Sequence, residues 1–341
     1  MRIYGTLGPH CSDTETLRAM FDAGMTGIRL NLSHVTLHDA ALQIEALQKA
    51  ADMAGVRTDL LIDMQGPELR ISAPPVPLRL TDGDPVILET SDHLETETSC
   101  IRLPAIVEQA LVPGQEVLLD DGKILLEVID DSRKKDGSTA AKVIRGGLLQ
   151  GRKSIALPGA EIWPPTLTET DLINIRAARE YGVTGLMQPF VRDADDLRQV
   201  RAALHDANAD DIRLLAKIEN QAGTAHIDSL LPYADEFVIA RGDLGNSMPL
   251  WELPAAQKRL AARIKNAGKD LMIVTQMLAS MEHSPVPTRA EVSDIFNAVL
   301  DGADSVMVTG ETAVGDYPVE VIRYLTNTAK EAERFLKVRN L

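Results

Sequence analysis

Apolar positions along the chain follow two alternating rhythms. Short runs with the period of an extended strand predict eight strands: IYGTLG (3–8), TGIRLNLS (26–33), DLLIDM (59–64), TGLMQPF (184–190), RLLAKIE (213–219), EFVIARG (236–242), DLMIVTQM (270–277) and SVMVTG (305–310). Most are followed by apolar residues three and four apart, which predict helices over 14–24, 38–55, 168–182, 194–208, 222–234, 254–268, 288–302 and 319–336. Several of these end in glycine (Gly24, Gly55, Gly182, Gly268, Gly302), as helix C-termini often do. Eight β/α units place the chain in the α/β class and predict a closed parallel (β/α)8 barrel. A doubly wound open sheet stays as the alternative, because a count of elements does not prove closure.

One unit is interrupted. From Ile71 to about Gly147 the text consists of short Val/Leu/Ile runs broken by the turn signals TDGD (81–84), VPGQ (112–115), DDGK (120–123) and KDGS (135–138). This predicts a small all-β lid domain, residues 71–150, inserted after the third strand, with the barrel supplied by residues 1–70 and 151–341. Loops that follow barrel strands lie at the C-terminal face, where active sites are built.

The charge balance, 35 Lys+Arg against 50 Asp+Glu for a net −15, disfavours general attraction to nucleic acid or anionic lipid. No apolar run is long enough for a membrane span or a signal peptide. Cys11 and Cys100 have no metal-binding or disulfide-framework spacing. A soluble protein of the reducing cytoplasm is expected.

The C-terminal ends of the predicted strands concentrate polar groups: Arg29, Asn31 and Ser33; Asp63; Lys217 and Glu219; Arg241 and Asp243; Thr275; Thr309 and Glu311. In LLAKIENQAG (214–223), Lys217 and Glu219 share one strand face while Ile218 takes the other. Taken alone, such a pair reads more readily as an internal ion pair of little net stabilising value than as a site. Six strands delivering polar groups to one rim read as a site. Glu219 and Asp243, from neighbouring strands, suit Mg²⁺ or Mn²⁺ completed by water and substrate oxygens. Arg29, Arg241 and Lys217 add positive charge for a small, multiply charged anion such as a phosphoryl group. In TRAEVSD (288–294), Thr288 and Glu291 fit a capping box and predict a helix start.

The phrases TLGPHCSD, AGMTGIRLNLSH, LLIDMQGPELR, LLDDGKILLEV, LLAKIENQAG, VIARGDLGNSMP, TQMLASM, PVPTRAEVSD and VMVTGETAVGDYPVE run in order through nearly the whole chain and closely resemble the pyruvate kinases. The resemblance implies a TIM barrel with a β lid after strand three, and phosphoryl transfer from phosphoenolpyruvate to ADP, giving pyruvate and ATP in glycolysis. It implies that Lys217 neutralises the transferring phosphoryl group and the enolate oxygen, that Glu219 and Asp243 hold the divalent metal, and that Arg29 binds phosphate. Arg70, His34, Lys153 and Asn31 resemble nucleotide contacts. Asn31, Ser33, Asp63 and the backbone of Met64 match a potassium site. Ala240, Arg241, Gly242 and Thr275 resemble the pocket for the pyruvate carboxylate, and Thr309 and Glu311 the enolate proton relay.

Four positions depart from the family pattern. Thr309 stands for the usual Ser and keeps a hydroxyl. Pro189 stands for a Ser, which removes one hydrogen-bond donor to phosphoryl and restrains the backbone. Val35 replaces a Gly. Gln65 resembles the potassium-independent members and Glu68 the dependent ones, so potassium dependence is the expectation. The chain also stops just after the eighth helix, so the C-terminal effector-binding domain is expected to be absent, along with part of the usual tetramer interface. A homo-oligomer would then form through barrel surfaces. Two further readings stay open: metal-dependent enolate chemistry on a related oxo acid, of oxaloacetate decarboxylase or aldolase type, and a catalytically weakened metabolite-binding paralogue.

Overall fold

The computed structural model describes residues 1–33, 35–74, 76–90, 100–120, 122–130, 138–160 and 162–339. Eight parallel strands, β1 (Arg2–Thr6), β2 (Gly27–Asn31), β3 (Asp59–Asp63), β4 (Gly185–Gln188), β5 (Arg213–Ile218), β6 (Glu236–Ala240), β7 (Asp270–Val274) and β8 (Ser305–Met307), form a closed barrel. Closure is explicit in the register: β1 pairs with β2 through Tyr4↔Gly27 and with β8 through Arg2↔Ser305. The open-sheet alternative is thereby excluded.

Strand alternation decides what faces the barrel axis. On β5, Leu214, Ala216 and Ile218 pack outward into the core shared with the helices, so Arg213, Leu215 and Lys217 face inward. The same alternation around the barrel gives three inward levels. At the N-terminal end, Arg213 pairs with Asp59 at 2.9 Å and Glu236 at 3.2 Å, and Arg2 pairs with Glu236 and Asp270. The middle is apolar: Tyr4, Leu61, Met187, Leu215, Val238, Met272 and Met307. The C-terminal end carries Arg29, Asp63 and Lys217. An apolar plug thus separates two polar ends, and only the end bordered by the βα loops has the freedom to build a site.

The helices start and stop where local chemistry dictates. Asp13, Thr168, Asp193 and Thr288 each cap a helix by accepting amide hydrogen bonds, and Thr288 with Glu291 forms the expected capping box on Arg289–Leu300. Gly55 closes Ala41–Ala54 at φ 67°, a left-handed conformation that glycine adopts without penalty. The segment 222–234 differs from expectation: two short helices, Gln221–Ala225 and Ile227–Leu230, meet at His226. There the backbone leaves helical geometry and the imidazole Nδ1 lies 2.9 Å from the Arg192 carbonyl. Among the described residues no helix is long and apolar enough to cross a membrane.

Asp196, buried in the first turn of Ala194–Asp206, ties the β4 loop to this helix. It accepts from the Arg192 amide at 2.8 Å, from the Arg192 guanidinium at 2.6 and 3.0 Å, and from Thr166 Oγ1 at 2.6 Å. Burial alone would raise its carboxyl pKa, but these donors outweigh it and hold the group below the usual range. The ionised form therefore contributes stability that is complete above the unfolded-state value near ~3.9 and fades as pH falls through the lower folded value. Asp196→Asn is expected to lose about 2 kcal/mol at pH 7, with the gap narrowing at pH 3, in urea titrations at both values. Equal stability of the two proteins at pH 7 would refute this.

The second compact unit spans Pro67–Pro165. Its main sheet has the strand order Ile155–Ala156, Glu116–Leu119, Ile124–Asp130, Ser138–Arg145, Pro85–Glu89, Cys100–Arg102, and Leu78–Leu80 pairs separately with Gly147–Leu149. Val86, Leu88, Val117, Leu126, Val128 and Val143 form its own core. The turns read at 81–84 and 112–115 close with 3.0 and 2.9 Å backbone hydrogen bonds, and Asp120 to Lys123 does so at 3.1 Å. The turn signal at 135–137 lies outside the described residues.

Candidate active site

At the C-terminal end of the barrel interior four side chains form one chain of charge. Asp63, ending β3, accepts from Arg29 Nε at 2.8 Å and Nη2 at 2.7 Å, and from Lys217 Nζ at 3.1 and 3.2 Å. Lys217 also lies 3.0 Å from Glu219 Oε1. The pair that looked ambiguous in sequence is thus part of a line of alternating sign, two cations and two carboxylates, all largely buried. Burial would raise the Asp63 carboxyl and lower the Lys217 ammonium; the opposite charges outweigh it in both cases. Asp63 is held below the usual carboxylate range and Lys217 above the usual ammonium range.

Glu219 stands one residue beyond β5, and its Oε2 accepts the Phe190 amide at 2.8 Å. Phe190 has φ 51°, a left-handed turn that aims its N–H at this carboxylate. The preceding Pro189 presses on Gly66, where a Cβ would stand only 2.5 Å from Pro189 Cγ. Gly66 has φ 57° and, with Gln65, donates its amide to the buried Asp171 at 3.0 and 2.9 Å. Gly66, lacking a Cβ, therefore leaves room for the Pro189 ring.

Asp243 lies in the first turn of Arg241–Asn246, directly after β6. Among the described residues no group of three His, Cys, Asp or Glu could hold a metal alone. Mg²⁺ or Mn²⁺ binds through one or two carboxylates and completes its shell with water and substrate oxygens. Glu219 and Asp243 fit such an ion on donor chemistry. For a monovalent cation, Asn31 and Asp63 are register partners on β2 and β3, and Ser33 Oγ lies 2.7 Å from Asn31 Oδ1. Met64 follows, its amide bonded to Met187. These are hard oxygen donors of the kind such an ion takes.

The strands expected to run through 242 and 277 stop earlier, at Ala240 and Val274. Thr275 and Gln276 have φ 82° and 54°, which no extended strand allows. Arg241 Nε and Nη2 donate to the Thr275 carbonyl at 3.2 and 2.7 Å, and a Cβ on Gly242 would lie 3.1 Å from Thr275 Cγ2. Ala240, Arg241, Gly242 and Thr275 are thus brought together. After β8, the buried Glu311 accepts the amides of Thr309 (2.6 Å) and Leu278 (3.2 Å) and lies 3.3 Å from Thr309 Oγ1.

Arg70 and Lys153 belong to the second unit. Arg70 pairs with Glu68 at 2.9 Å and donates to the Arg152 carbonyl, and Lys153 pairs with Asp120 at 2.8 Å. His34 lies outside the described residues. Two site residues escaped the sequence reading: Asp171, which holds the 65–66 amides, and Asp294, which pairs with Arg241. Each lies in a predicted helix, and Asp294 falls three residues after Glu291 on the same face, a spacing that could have marked it.

The family profile described as "Pyruvate kinase, barrel domain" matches residues 1–322. A pyruvate kinase of Geobacillus stearothermophilus is 36% identical over 342 residues, covering 100% of this chain and 58% of its own length. Pyruvate kinase 2 of Saccharomyces cerevisiae is 36% identical, covering 97% of this chain and 66% of its own, and a pyruvate kinase of Thermococcus litoralis is 36% identical, covering 98% and 70%. The chain spans a little under three fifths of the length of the Geobacillus relative.

Proposed function

The chain belongs to the pyruvate kinase family, and on that premise we propose that it transfers the phosphoryl group of phosphoenolpyruvate to ADP, giving pyruvate and ATP in cytoplasmic glycolysis. The observation that supports this most is the buried Lys217 ammonium, held between Asp63 and Glu219 beside Arg29 at the active face of the barrel.

In this reading Arg29 and Lys217 face the phosphoryl group as a β-phosphate oxygen of ADP attacks phosphorus and the bond to the enol oxygen breaks. Their fixed positive charge stabilises negative charge spreading over the phosphoryl oxygens and the departing enolate, without reorganisation at the moment of reaction. Mg²⁺ or Mn²⁺ held by Glu219 and Asp243 would supply Lewis-acid charge neutralisation at the same oxygens. The carboxylate of the substrate is received by the backbone of Ala240, Arg241 and Gly242 and by Thr275. The Thr309 hydroxyl, oriented by Glu311, serves the protonation of the enolate carbon that yields pyruvate. Arg70, Lys153, His34 and Asn31 serve the nucleotide. Asn31, Ser33, Asp63 and the Met64 carbonyl would hold K⁺, which adds fixed charge near the phosphate.

The test is pyruvate release from phosphoenolpyruvate with ADP and Mg²⁺, in potassium and in sodium buffer. ADP-dependent pyruvate formation, weaker in sodium, is the expected result. No ADP-dependent release would overturn the reading, and pyruvate from oxaloacetate without nucleotide would replace it with enolate chemistry on an oxo acid.

A further inference from the structure

The pocket assigned to the substrate carboxylate turns on an unusual piece of backbone. A β-branched residue at φ 82°, as Thr275 is, is a true outlier, because its Cβ crowds the neighbouring carbonyl. Such a conformation persists only where the surroundings enforce it. The enforcing group is Arg241, whose Nε and Nη2 both donate to the Thr275 carbonyl. The other edge of the guanidinium is taken by Asp294, with Nη1 2.8 Å from Oδ1 and Nη2 2.7 Å from Oδ2.

A two-point carboxylate contact fixes the plane of a guanidinium and not merely its position. Arg241 therefore acts on the protein: Asp294 grips one edge, and the other edge grips the Thr275 carbonyl. One turn before Asp294, Glu291 accepts from the amide and hydroxyl of Ser280 at 2.7 and 2.6 Å. The helix Arg289–Leu300 thus holds the loop after β7 at both ends, once directly and once through Arg241.

We propose that Asp294 is a positioning residue which, through Arg241, sets the backbone of Thr275 and with it the place where the substrate carboxylate is received. The location of that carboxylate rests on the activity proposed above; the clamp on the loop does not.

Two measurements on Asp294→Ala and Asp294→Asn test this, with Asp294→Glu as the conservative rescue. A contact made equally to substrate and transition state changes KM and leaves kcat nearly intact, so KM for phosphoenolpyruvate is expected to rise about tenfold, with kcat and KM for ADP within about threefold. Asp294→Glu recovers most of the loss. A merely structural role would instead reduce the active fraction and the melting temperature while leaving KM alone. Independently of turnover, amide hydrogen exchange at Gln276 to Leu278 is expected to be about tenfold faster in Asp294→Asn than in the unaltered protein. Unchanged exchange at these amides, or unchanged KM in both variants, overturns the proposal. An unaltered protein that binds but does not turn over phosphoenolpyruvate refutes the activity, and the exchange result still decides the clamp.

Discussion

Lys217→Met is expected to lower kcat for phosphoryl transfer at least about a thousandfold. Removing a single neutral donor aimed at developing charge costs about 10²–10³ in rate, and Lys217 is a full charge in a site that excludes most water. The structure adds a stability consequence. Asp63 keeps Arg29, and Glu219 keeps the Phe190 amide, but both lose the ammonium between them. Breaking a buried ion pair by deleting one partner costs about 3–5 kcal/mol, and the surviving partners place this variant near the lower end. Steady-state pyruvate formation and urea unfolding read the two effects separately. A variant retaining a tenth or more of the original kcat would remove Lys217 from the chemistry.

Glu219→Gln should lose activity without comparable loss of fold. Lys217 still has Asp63, and the amide oxygen of Gln can still accept from Phe190, so no buried charge is stranded. What disappears is one of the two carboxylates proposed to hold the divalent ion, and affinity for such ions follows ligand charge. The Mg²⁺ concentration for half-maximal activity is expected to rise at least about tenfold and kcat to fall about 10²-fold. Mn²⁺ binding followed by electron paramagnetic resonance gives the same answer without turnover. Unaltered Mn²⁺ affinity would place the ion elsewhere.

Strain marks the other half of the site. Thr275, Gln276 and Phe190 are non-glycine residues at positive φ within the loops that follow β4 and β7, each costing about 1–3 kcal/mol unless compensated. Arg241 compensates one by two hydrogen bonds to a single carbonyl, and Glu219 another by accepting the amide that the turn presents. The same groups that shape the pocket therefore also hold its backbone in place.

The amino-acid pattern by itself determined the eight β/α units, most helix starts and the rim on which the charged residues stand, because each depends on neighbours a few positions away, whereas closure of the barrel rests on the pairing of Arg2–Thr6 with Ser305–Met307. Alternation on β5 requires Lys217 to face inward once Leu214, Ala216 and Ile218 pack outward, and Thr288 three residues before Glu291 suffices to start a helix. The partners of those charges were decided by tertiary structure alone. Asp63 meets Lys217 across 154 residues, Thr275 is held at φ 82° by an arginine 34 residues earlier, and Asp294 reaches that arginine from a helix that looked merely capped. No local propensity favours a threonine in that conformation. It exists because the pairing of β6 with β7 sets two successive βα segments side by side, where charge pairing outweighs the strain.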